Sequence, residues 1–577
     1  MQYQRKFLKL TNNKSKNMHS QRSSALMFFL IVSGIAAYTY FGDKAEAAKK
    51  ANQPQLEVIS NSDSASEKSL ENSEKIKIDT DLHAIQISLN GGDIITADLK
   101  DQKQTIDSDE NFHLFKYEPD FKYYAASDIV IEESDARYAL HPKFSASGLS
   151  FTMKPAEGID CQKLSSEDEA KLAKLSVPLS YTDKNGTEFI KTFTFTQCKH
   201  VVNVDYAITN IKNNMAVTME SKLIQSVNVP DDGSGVFMAS AYRGAAYSNS
   251  DTKYSKISFD DIAKKNYDNV DTAEGGWVSM IQHYFVSSWI GLTNHQNTVF
   301  TQSLDNGSTA VIGLRSSPVN VTAGPDTKIK LSNNLWIGPK IQEEMQETSN
   351  HLDLTIDYGW LSPISSALFW CLKVIHSLVS NWGVAIIILT LIVRGLMFPL
   401  TKKQYESMAK MKQLAPKLNQ LKEKYKDDRQ RLSQETMRLY QTEKVNPLGG
   451  CLPMFIQMPI FIALYWTLME STELRHSPFI LWIKDLSVLD PYYVLPLLMG
   501  LTMFYTQRVS MSASTDQTQK TVMTVMTVVF TFMFCTFPAG LTLYWVVSNI
   551  VTIVQQTIIY RQLDKKGLSM KNNIKKA

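Results

Sequence analysis

Long apolar runs in the C-terminal part of the chain restrict what it can fold into. They contain no Asp or Glu and lie at residues 381–400, 448–469, 492–507, 521–537 and 541–560. A helix of about 20 apolar residues crosses a bilayer, and lipid tolerates only structures that pair all of their backbone polar groups. The C-terminal part is therefore predicted to be a polytopic α-helical membrane domain.

A further apolar run at residues 23–41 follows the basic N-terminal residues 1–22. Such a basic flank stays in the cytoplasm. A cleaved signal peptide is the alternative, because small residues follow the run, but the run is longer than the apolar part of a usual signal peptide. We expect an uncleaved signal anchor, and then a flexible linker at 42–80, which has no aromatic residue with which to build a core.

Residues 81–353 instead alternate apolar and polar side chains with a period of two, as β-strands do. Ile85, Ile87 and Leu89 alternate before an NGGD turn, and a second alternating run at 189–195 follows a DKNG turn. DDGSG at 231–235 is a further turn signal. This region is predicted to be a large antiparallel β-sandwich outside the cytoplasm.

Two of the five cysteines, Cys161 and Cys198, lie in this β domain, and the other three lie in apolar segments. An extracytoplasmic compartment permits a disulfide between Cys161 and Cys198. Sequence does not supply the required geometry, so the pairing stays open here. The spacing resembles no metal site.

The segment 357–380 has apolar residues at helical spacing, with Trp360 inside it and Trp382 just beyond it. Tryptophan is enriched at the membrane–water interface. We therefore predict an interfacial helix that lies along the outer membrane surface before the chain turns inward at 381–400.

The distribution of Lys and Arg predicts the topology. The loop 401–446 has twelve of them and the tail 561–577 is also basic, whereas the loop between 448–469 and 492–507 has only Arg475 and Lys484. Basic loops stay in the cytoplasm. Six spans with both termini in the cytoplasm satisfy this rule.

The basic loop 401–446 is predicted to be a helical hairpin. Leu414, Leu418, Leu421 and Tyr425 follow a heptad seam that KDDRQ interrupts before a second helical run. The alternative is a solvated charged linker. The basic surface suits lipid headgroups, ribosomal RNA or acidic proteins, and sequence does not choose among them.

Arg394 lies inside the apolar run 381–400, where a charge costs about 2.5 to 3.5 kcal/mol at the bilayer centre. One interpretation is that its side chain reaches the inner membrane surface. The other is a water-filled cavity, favoured by Thr390 one turn earlier, by Gln457, and by a polar inner half of the last span. That half contains Ser548, Asn549, Thr552, Gln555 and Gln556.

Several classes of function lack their sequence signals. The core spans have no carboxylate for a proton relay or a coupling cation. HExxH, a nucleophile elbow and a Gly-rich phosphate loop are also missing from the sequence. We therefore predict no catalytic residue, no metal and no cofactor. A cationic groove instead suits a passing polypeptide with acidic residues.

Several motifs after residue 356 carry a family resemblance. They are DYGWL, IIILTLIVRGLMFPLTKKQYESMAKM, EKVNPLGGCLPMFIQMPIFIALYW, DPYYVLPLLMG, FPAGLTLYWVVSNIVTIVQQ and IYRQLDKKGL. In this region the chain resembles the YidC membrane protein insertases of Gram-negative bacteria. LNGGDI and the β pattern fit the periplasmic domain of that family more weakly.

The resemblance implies a five-helix core around a hydrophilic groove in the inner membrane, which inserts nascent membrane proteins alone or beside the Sec translocon. Arg394 would attract acidic parts of a client, and Thr390, Gln457 and Asn549 would line the groove. Tyr544 and Trp545 match an aromatic pair on which the client helix slides, although many relatives are expected to have Tyr at both positions.

The hairpin and tail would meet the ribosome and the signal recognition particle receptor, and lipids would surround the core. The sequence MHSQRSSALMFF from Met18 resembles a family start, so we expect translation to begin at Met18 rather than Met1.

Two other functions stay open from sequence. A polar groove open to lipid would also suit a lipid scramblase or flippase. An extracytoplasmic binding protein that is merely anchored by its membrane half would lose all function without residues 82–353.

Overall fold

The computed structural model describes most of the chain after residue 69. The described residues are 70, 73–133, 136–161, 164–228, 241–264, 269–293, 295–324, 326–426, 428–443, 452–510 and 517–565. The predicted anchor at 23–41 and the DDGSG turn at 231–235 lie outside them, as do both candidate start methionines.

The N-terminal part of the described chain consists of strands. They are β1 Lys75–Asp79, β2 His83–Ser88, β3 Ile94–Lys103, β4 Asn111–Tyr117, β5 Lys122–Glu133, β6 Ala136–Leu140, β7 Ser145–Ala146, β8 Ser150–Thr152, β9 Lys174–Thr182, β10 Glu188–Thr196, β11 Val201–Thr209, β12 Met215–Ser226, β13 Gly244–Ser248, β14 Ser255–Ile257, β15 Asn269–Glu274, β16 Trp277–Ile281, β17 Phe285–Gly291, β18 Gln296–Leu304, β19 Thr309–Ser316, β20 Val319–Val321 and β21 Ile329–Pro339.

The described strands form two sheets that pack face to face, which confirms the predicted β-sandwich. One sheet has the order β15-β18-β19-β12-β5-β4-β3-β2-β1-β8, with β6 and β20 attached to it, and the other has the order β14-β13-β16-β17-β21-β11-β10-β9-β7. The pairs are antiparallel apart from β1 with β8. In β10, Phe189, Phe193 and Phe195 are buried, because alternate side chains of a strand face the core between the sheets.

The NGGD turn has the backbone that its glycines permit. Gly91 and Gly92 have φ values of +74° and +68°, and they connect β2 to β3. Residues other than Gly seldom adopt this left-handed conformation. The two glycines therefore allow the tight reversal predicted after Leu89.

The described helices are mostly in the C-terminal part. They are α1 Ser166–Glu169, α2 Phe259–Ala263, α3 Gln342–Thr348, α4 Ser362–Val379, α5 Trp382–Leu396, α6 Phe398–Gln413, α7 Ala415–Lys424, α8 Arg429–Thr442, α9 Leu452–Glu470, α10 Val494–Ser510, α11 Gln517–Phe534 and α12 Ala539–Lys565.

Helices α4 to α12 correspond to the segments predicted for the membrane half and its hairpin. By length and composition, Gly359–Val379 and Ala539–Lys565 can cross a membrane, and the bent pair Trp382–Leu396 and Phe398–Lys410 would add a third span. The count of six spans stays a prediction, as does the interfacial position of α4, which is long enough to span. Exposed apolar side chains such as Leu378, Leu501 and Phe532 suit contact with lipid.

The β domain contacts the outer side of the helical half. Lys256 pairs with Asp357 ahead of α4, and Lys373 of α4 pairs with Glu343 of α3 at 2.6 Å. Arg475, in the loop between α9 and α10, donates to the backbone carbonyl of Lys103 at 2.6 Å. The β domain therefore rests on the same loop that closes the outer ends of α9 and α10.

Candidate functional site

Arg394 lies in the last turn of α5, just before the chain bends. The axes of Trp382–Leu396 and Phe398–Lys410 differ by 58°. Pro399 is the second residue of the second helix, and it has no N–H with which to continue the hydrogen bonds of α5. A cation in the last turn of a helix also interacts favourably with the helix dipole. The bend thus places Arg394 where the backbone itself helps to hold its charge.

Two side chains of α12 hold Arg394 in place. The guanidinium Nε donates to the Ser548 hydroxyl at 2.8 Å, and Nη2 contacts the same oxygen. The Gln555 side-chain amide donates to the Arg394 carbonyl at 3.0 Å. That carbonyl is among those that a helix end leaves without a partner in its own helix. Ser548 and Gln555 are two turns apart on one face of α12. A single helix therefore binds both the guanidinium and the backbone carbonyl of Arg394.

The partners of Arg394 are neutral. Among the described residues Arg394 makes no ion pair, and its neighbours on α12 supply a hydroxyl and an amide. A hydrogen bond to a charged group contributes about 1.5–3 kcal/mol, which offsets part of the cost of placing the charge in the membrane half. The positive charge therefore stays uncompensated and can attract an acidic group.

Three other predicted groove residues occupy different environments. Thr390 is 1% exposed, and its hydroxyl donates to the Ile386 carbonyl of its own helix at 2.7 Å. The Asn549 amide donates to Thr502 of α10 at 3.1 Å, whereas the adjacent Ser548 faces Arg394. Gln457 is half-buried in α9. The structure therefore joins Arg394 to Ser548 and Gln555, and it directs Asn549 to a different helix.

The aromatic pair lies near the outer end of α12. Tyr544 is 4% exposed and Trp545 is half-buried. The ring centroid of Phe461, on α9, is 6.4 Å from that of Tyr544 and 4.6 Å from that of Trp545. Trp545 also contacts Phe534 of α11, with ring centroids 4.8 Å apart. An aromatic cluster thus fills the junction of α9, α11 and α12, and Trp545 is more accessible than Tyr544.

A second cluster lies beyond Arg394 toward the hairpin. Tyr405 and Ala409 of α6 pack against Ile559 and Leu563 of α12, and all four are buried. This contact holds α6 against the last helix after the bend. The hairpin therefore begins from a packed base and continues through α7 and α8.

The sequence predicts only that Ser548 and Gln555 belong to the polar inner half of the last span, and it does not identify them as partners of Arg394. Their spacing of seven residues, two helical turns, was a usable signal for a shared face. The sequence gives no signal that Arg394 is the residue facing them, because Arg394 lies 154 positions from Ser548 in the chain.

Cys161 and Cys198 are joined in a disulfide, with Cα atoms 5.2 Å apart. The Asp81 carboxylate accepts a hydrogen bond from the backbone N–H of Cys198 at 2.6 Å and lies close to both sulfurs. Metal binding needs thiolates. The two sulfurs are bonded to each other, so this group is a structural crosslink.

Comparison with known proteins places this chain in a family. A family model described as "60Kd inner membrane protein" matches residues 374–566, and one described as "YidC periplasmic domain" matches residues 75–371. A "Membrane protein insertase YidC" from Aeromonas hydrophila is 44% identical over 570 residues, which cover 96% of this chain and 99% of that protein.

Another relative and one solved structure are also named YidC. A "Membrane protein insertase YidC" from Vibrio atlanticus is 46% identical over 499 residues, which cover 86% of this chain and 88% of that protein. The crystal structure of YidC from Thermotoga maritima is 14% identical, covers 84% of this chain and 99% of that chain, and has a TM-score of 0.31.

These matches bear on the alternatives left open by the sequence. They do not favour a lipid scramblase, and the family is one of insertases rather than enzymes. They describe an inner-membrane protein with a periplasmic domain. With relatives 44% identical along almost their whole length, the chain belongs to the YidC family of membrane protein insertases.

Proposed function

We propose that this protein inserts nascent membrane proteins by attracting the acidic flank of a client to Arg394. The observation that carries the proposal is the environment of Arg394, which is bound by Ser548 and Gln555 and not neutralised by a carboxylate among the described residues. At an effective dielectric constant of 20, two unit charges 4 Å apart attract by about 4 kcal/mol. Such an attraction offsets part of the cost of bringing a polar flank into the membrane.

The apolar segment of the client supplies the driving force. Burial of apolar surface contributes ~25 cal/mol per Å², so transfer of a whole helix into lipid is strongly favourable. We propose that this helix leaves along Trp545, which is half-buried, while the buried Tyr544 forms the wall behind it. Thr390 is buried and would meet the client only after neighbouring helices move, whereas Gln457 is already half-buried. Flank crossing then limits the clients: short acidic flanks pass, and long or basic flanks need the Sec translocon.

The cytoplasmic partners follow from charge. We propose that both termini are cytoplasmic, because the loop 401–446 and the tail 561–577 are basic. Helices α6 to α8 then extend into the cytoplasm, where their basic surface would receive the ribosome or the signal recognition particle receptor.

Charge dependence of insertion tests the proposal. Purified protein in vesicles would receive a short client with an acidic flank or the same client with amides in place of the acids. We expect R394A to slow insertion of the acidic client about tenfold or more, consistent with a loss of about 1.4 kcal/mol. The amide client should change by less than about twofold, and R394K should fall between.

R508A is the matched control, because Arg508 is an exposed arginine at the end of α10. It removes one positive charge from the membrane half without touching Ser548. Equal slowing of both clients by R394A, or equal effects of R394A and R508A, would contradict attraction at Arg394. Photocrosslinking of a ribosome-bound client from position 545, with the lipid-exposed position 550 as control, tests the exit path.

A further inference from the structure

The β domain caps the outer end of α9. The His283 ring donates from Nε2 to the Met469 carbonyl at 2.8 Å. Met469 is in the last turn of α9, where carbonyls have no partner within the helix. His283 lies between β16 and β17 and stacks on Tyr284, with ring centroids 3.8 Å apart. A side chain of the β domain thus completes a helix of the membrane half.

A buried ion pair lies next to this cap. The Lys340 ammonium is 3.2 Å from the Glu470 carboxylate, and their side chains are 1% and 2% exposed. Lys340 follows β21, and Glu470 is the last residue of α9. Removing one partner of a buried pair leaves an uncompensated buried charge, which is strongly destabilising, whereas replacing both by apolar residues is often neutral. The pair therefore makes the position of α9 depend on the β domain.

The backbone ties the same segments together. The Tyr284 carbonyl accepts the Lys340 backbone N–H at 2.9 Å and the Thr472 hydroxyl at 3.2 Å. One carbonyl of the β16–β17 connection thus holds both the end of β21 and the residues after α9.

Arg475 makes a second attachment three residues further along. Its guanidinium lies over the rings of Phe112 and Phe285, at 5.5 and 5.3 Å from their centroids. These two rings are stacked with their centroids 3.8 Å apart. Arg475 therefore attaches the loop after α9 to the β domain by cation–π contacts, whereas the attachment through Lys340 and Glu470 includes a fully buried ion pair.

The same helix reaches the aromatic cluster. Phe461, two and a half turns before Glu470 on α9, contacts Tyr544 and Trp545. A helix transmits a shift of its end along its axis, because its hydrogen bonds keep it stiff. We propose that Lys340 is a positioning residue for insertion, which holds the outer end of α9 and so sets Phe461 against Tyr544 and Trp545. This inference rests on the proposed route of the client along Trp545.

Amide hydrogen exchange and client insertion test it together in the full chain. In K340M, we expect exchange at residues 469–475 to rise at least tenfold and insertion of the acidic client to fall several-fold. The double variant K340M/E470M should restore both to within about twofold of wild type, because it removes the unpaired carboxylate. K330M is the matched control in β21, the strand that precedes Lys340, since the Lys330 side chain is 65% exposed and pairs with Asp205.

The outcomes separate the two proposals. Unchanged exchange in K340M, or failure of E470M to rescue it, overturns the role of the pair. Raised exchange with normal insertion overturns the positioning role. If K340M does not fold, H283F replaces it: the aromatic ring on Tyr284 is kept and the donor to Met469 is lost, so exchange should still rise. If the wild-type protein fails to distinguish acidic from amide clients, the proposed function fails, while the exchange measurement still decides the attachment.

Discussion

At the scale of single residues, neutral partners preserve the charge of Arg394. Ser548 and Gln555 orient it through a hydroxyl and an amide, and neither cancels the field that a client would meet. An acidic partner would stabilise the Arg394 side chain more, but it would leave less positive charge to attract a client. If Arg394 attracts the acidic flank of a client, as proposed, the arrangement favours recognition of the client over local stability.

His200 in the β domain, unlike Arg394, is paired with carboxylates. It is 3% exposed, and its Nδ1 is 2.9 Å from Glu344 while its Nε2 is 3.4 Å from Asp101. Burial by itself would lower its pKa, but the two carboxylates outweigh burial and raise the pKa to about 9. Burial, with a smaller contribution from His200, lowers the pKa of the adjacent His83 to about 4. His200 is therefore charged where its neighbour is neutral.

A pH dependence follows from His200. The pKa of His200 is about 9 in the folded protein, against 6.5 in the unfolded chain. The contribution of protonated His200 to the free energy of unfolding is therefore complete below about pH 6.5 and is lost as the pH rises toward 9. We expect the melting temperature of the β domain to fall across this window, and H200Q to flatten the slope. Tryptophan fluorescence of the full chain in detergent reports it, because Trp336 packs beside His200. H295Q, at an exposed histidine, should keep the wild-type slope, and an unchanged slope in H200Q would refute the assignment.

At the scale of elements, the bend between α5 and α6 organises the side of the site that faces the helical hairpin. It ends α5 just after Arg394 and frees the carbonyl that Gln555 binds. After the bend, α6 packs on α12 and leads into the hairpin. A straight helix would have no free carbonyl for Gln555 and would carry the hairpin in another direction.

Pro399 is predicted to maintain this bend. P399A restores an N–H that can bond within a continuous helix, so α5 and α6 should straighten. α6 has 16 residues and is about 24 Å long at 1.5 Å per residue. The distance between spin labels at positions 423 and 561 should then change by up to roughly 20 Å, as measured by pulsed electron paramagnetic resonance. P416A, in the first turn of α7, is the control; a distance unchanged in P399A would show that packing alone sets the bend.

At the scale of the whole molecule, the β domain is an attached part of the membrane half rather than a body on a tether. Its contacts reach the outer end of α9 through His283 and Lys340, and the following loop through Arg475. An insertase whose core lies in the membrane would still need little of the sandwich for insertion itself. Because the domain is attached, a single substitution at the contact can impair insertion more than removal of the whole domain.

Deletion of the domain and substitution of Lys340 should therefore differ. Deleting residues 82–353 opens Glu470 to water, whereas K340M leaves its carboxylate buried and unpaired, at a cost of about 3–5 kcal/mol. We expect the deletion variant to insert the acidic client faster than K340M, measured in vesicles at equal protein levels. Complete loss in the deletion with normal insertion by K340M would instead support the anchored binding protein that the sequence left open.

Local patterns in the sequence were sufficient for the two-part organisation. The alternation around Phe189 and Phe193 predicted a strand of the sandwich, because the two faces of a strand meet different environments. The apolar runs predicted the helices, and Arg394 was conspicuous because charge is costly there. DYGWL and the later motifs indicated the family before any tertiary contact was known.

What sequence alone determined is thus the class of each segment, since hydrophobic periodicity and charge act over a few neighbouring residues. The tertiary structure decided the partners: Ser548 for Arg394, Glu470 for Lys340 and Glu344 for His200. These pairs are separated by 154, 130 and 144 positions. No local pattern encodes such a contact, because it exists only once packing has brought two distant elements to within a few ångströms.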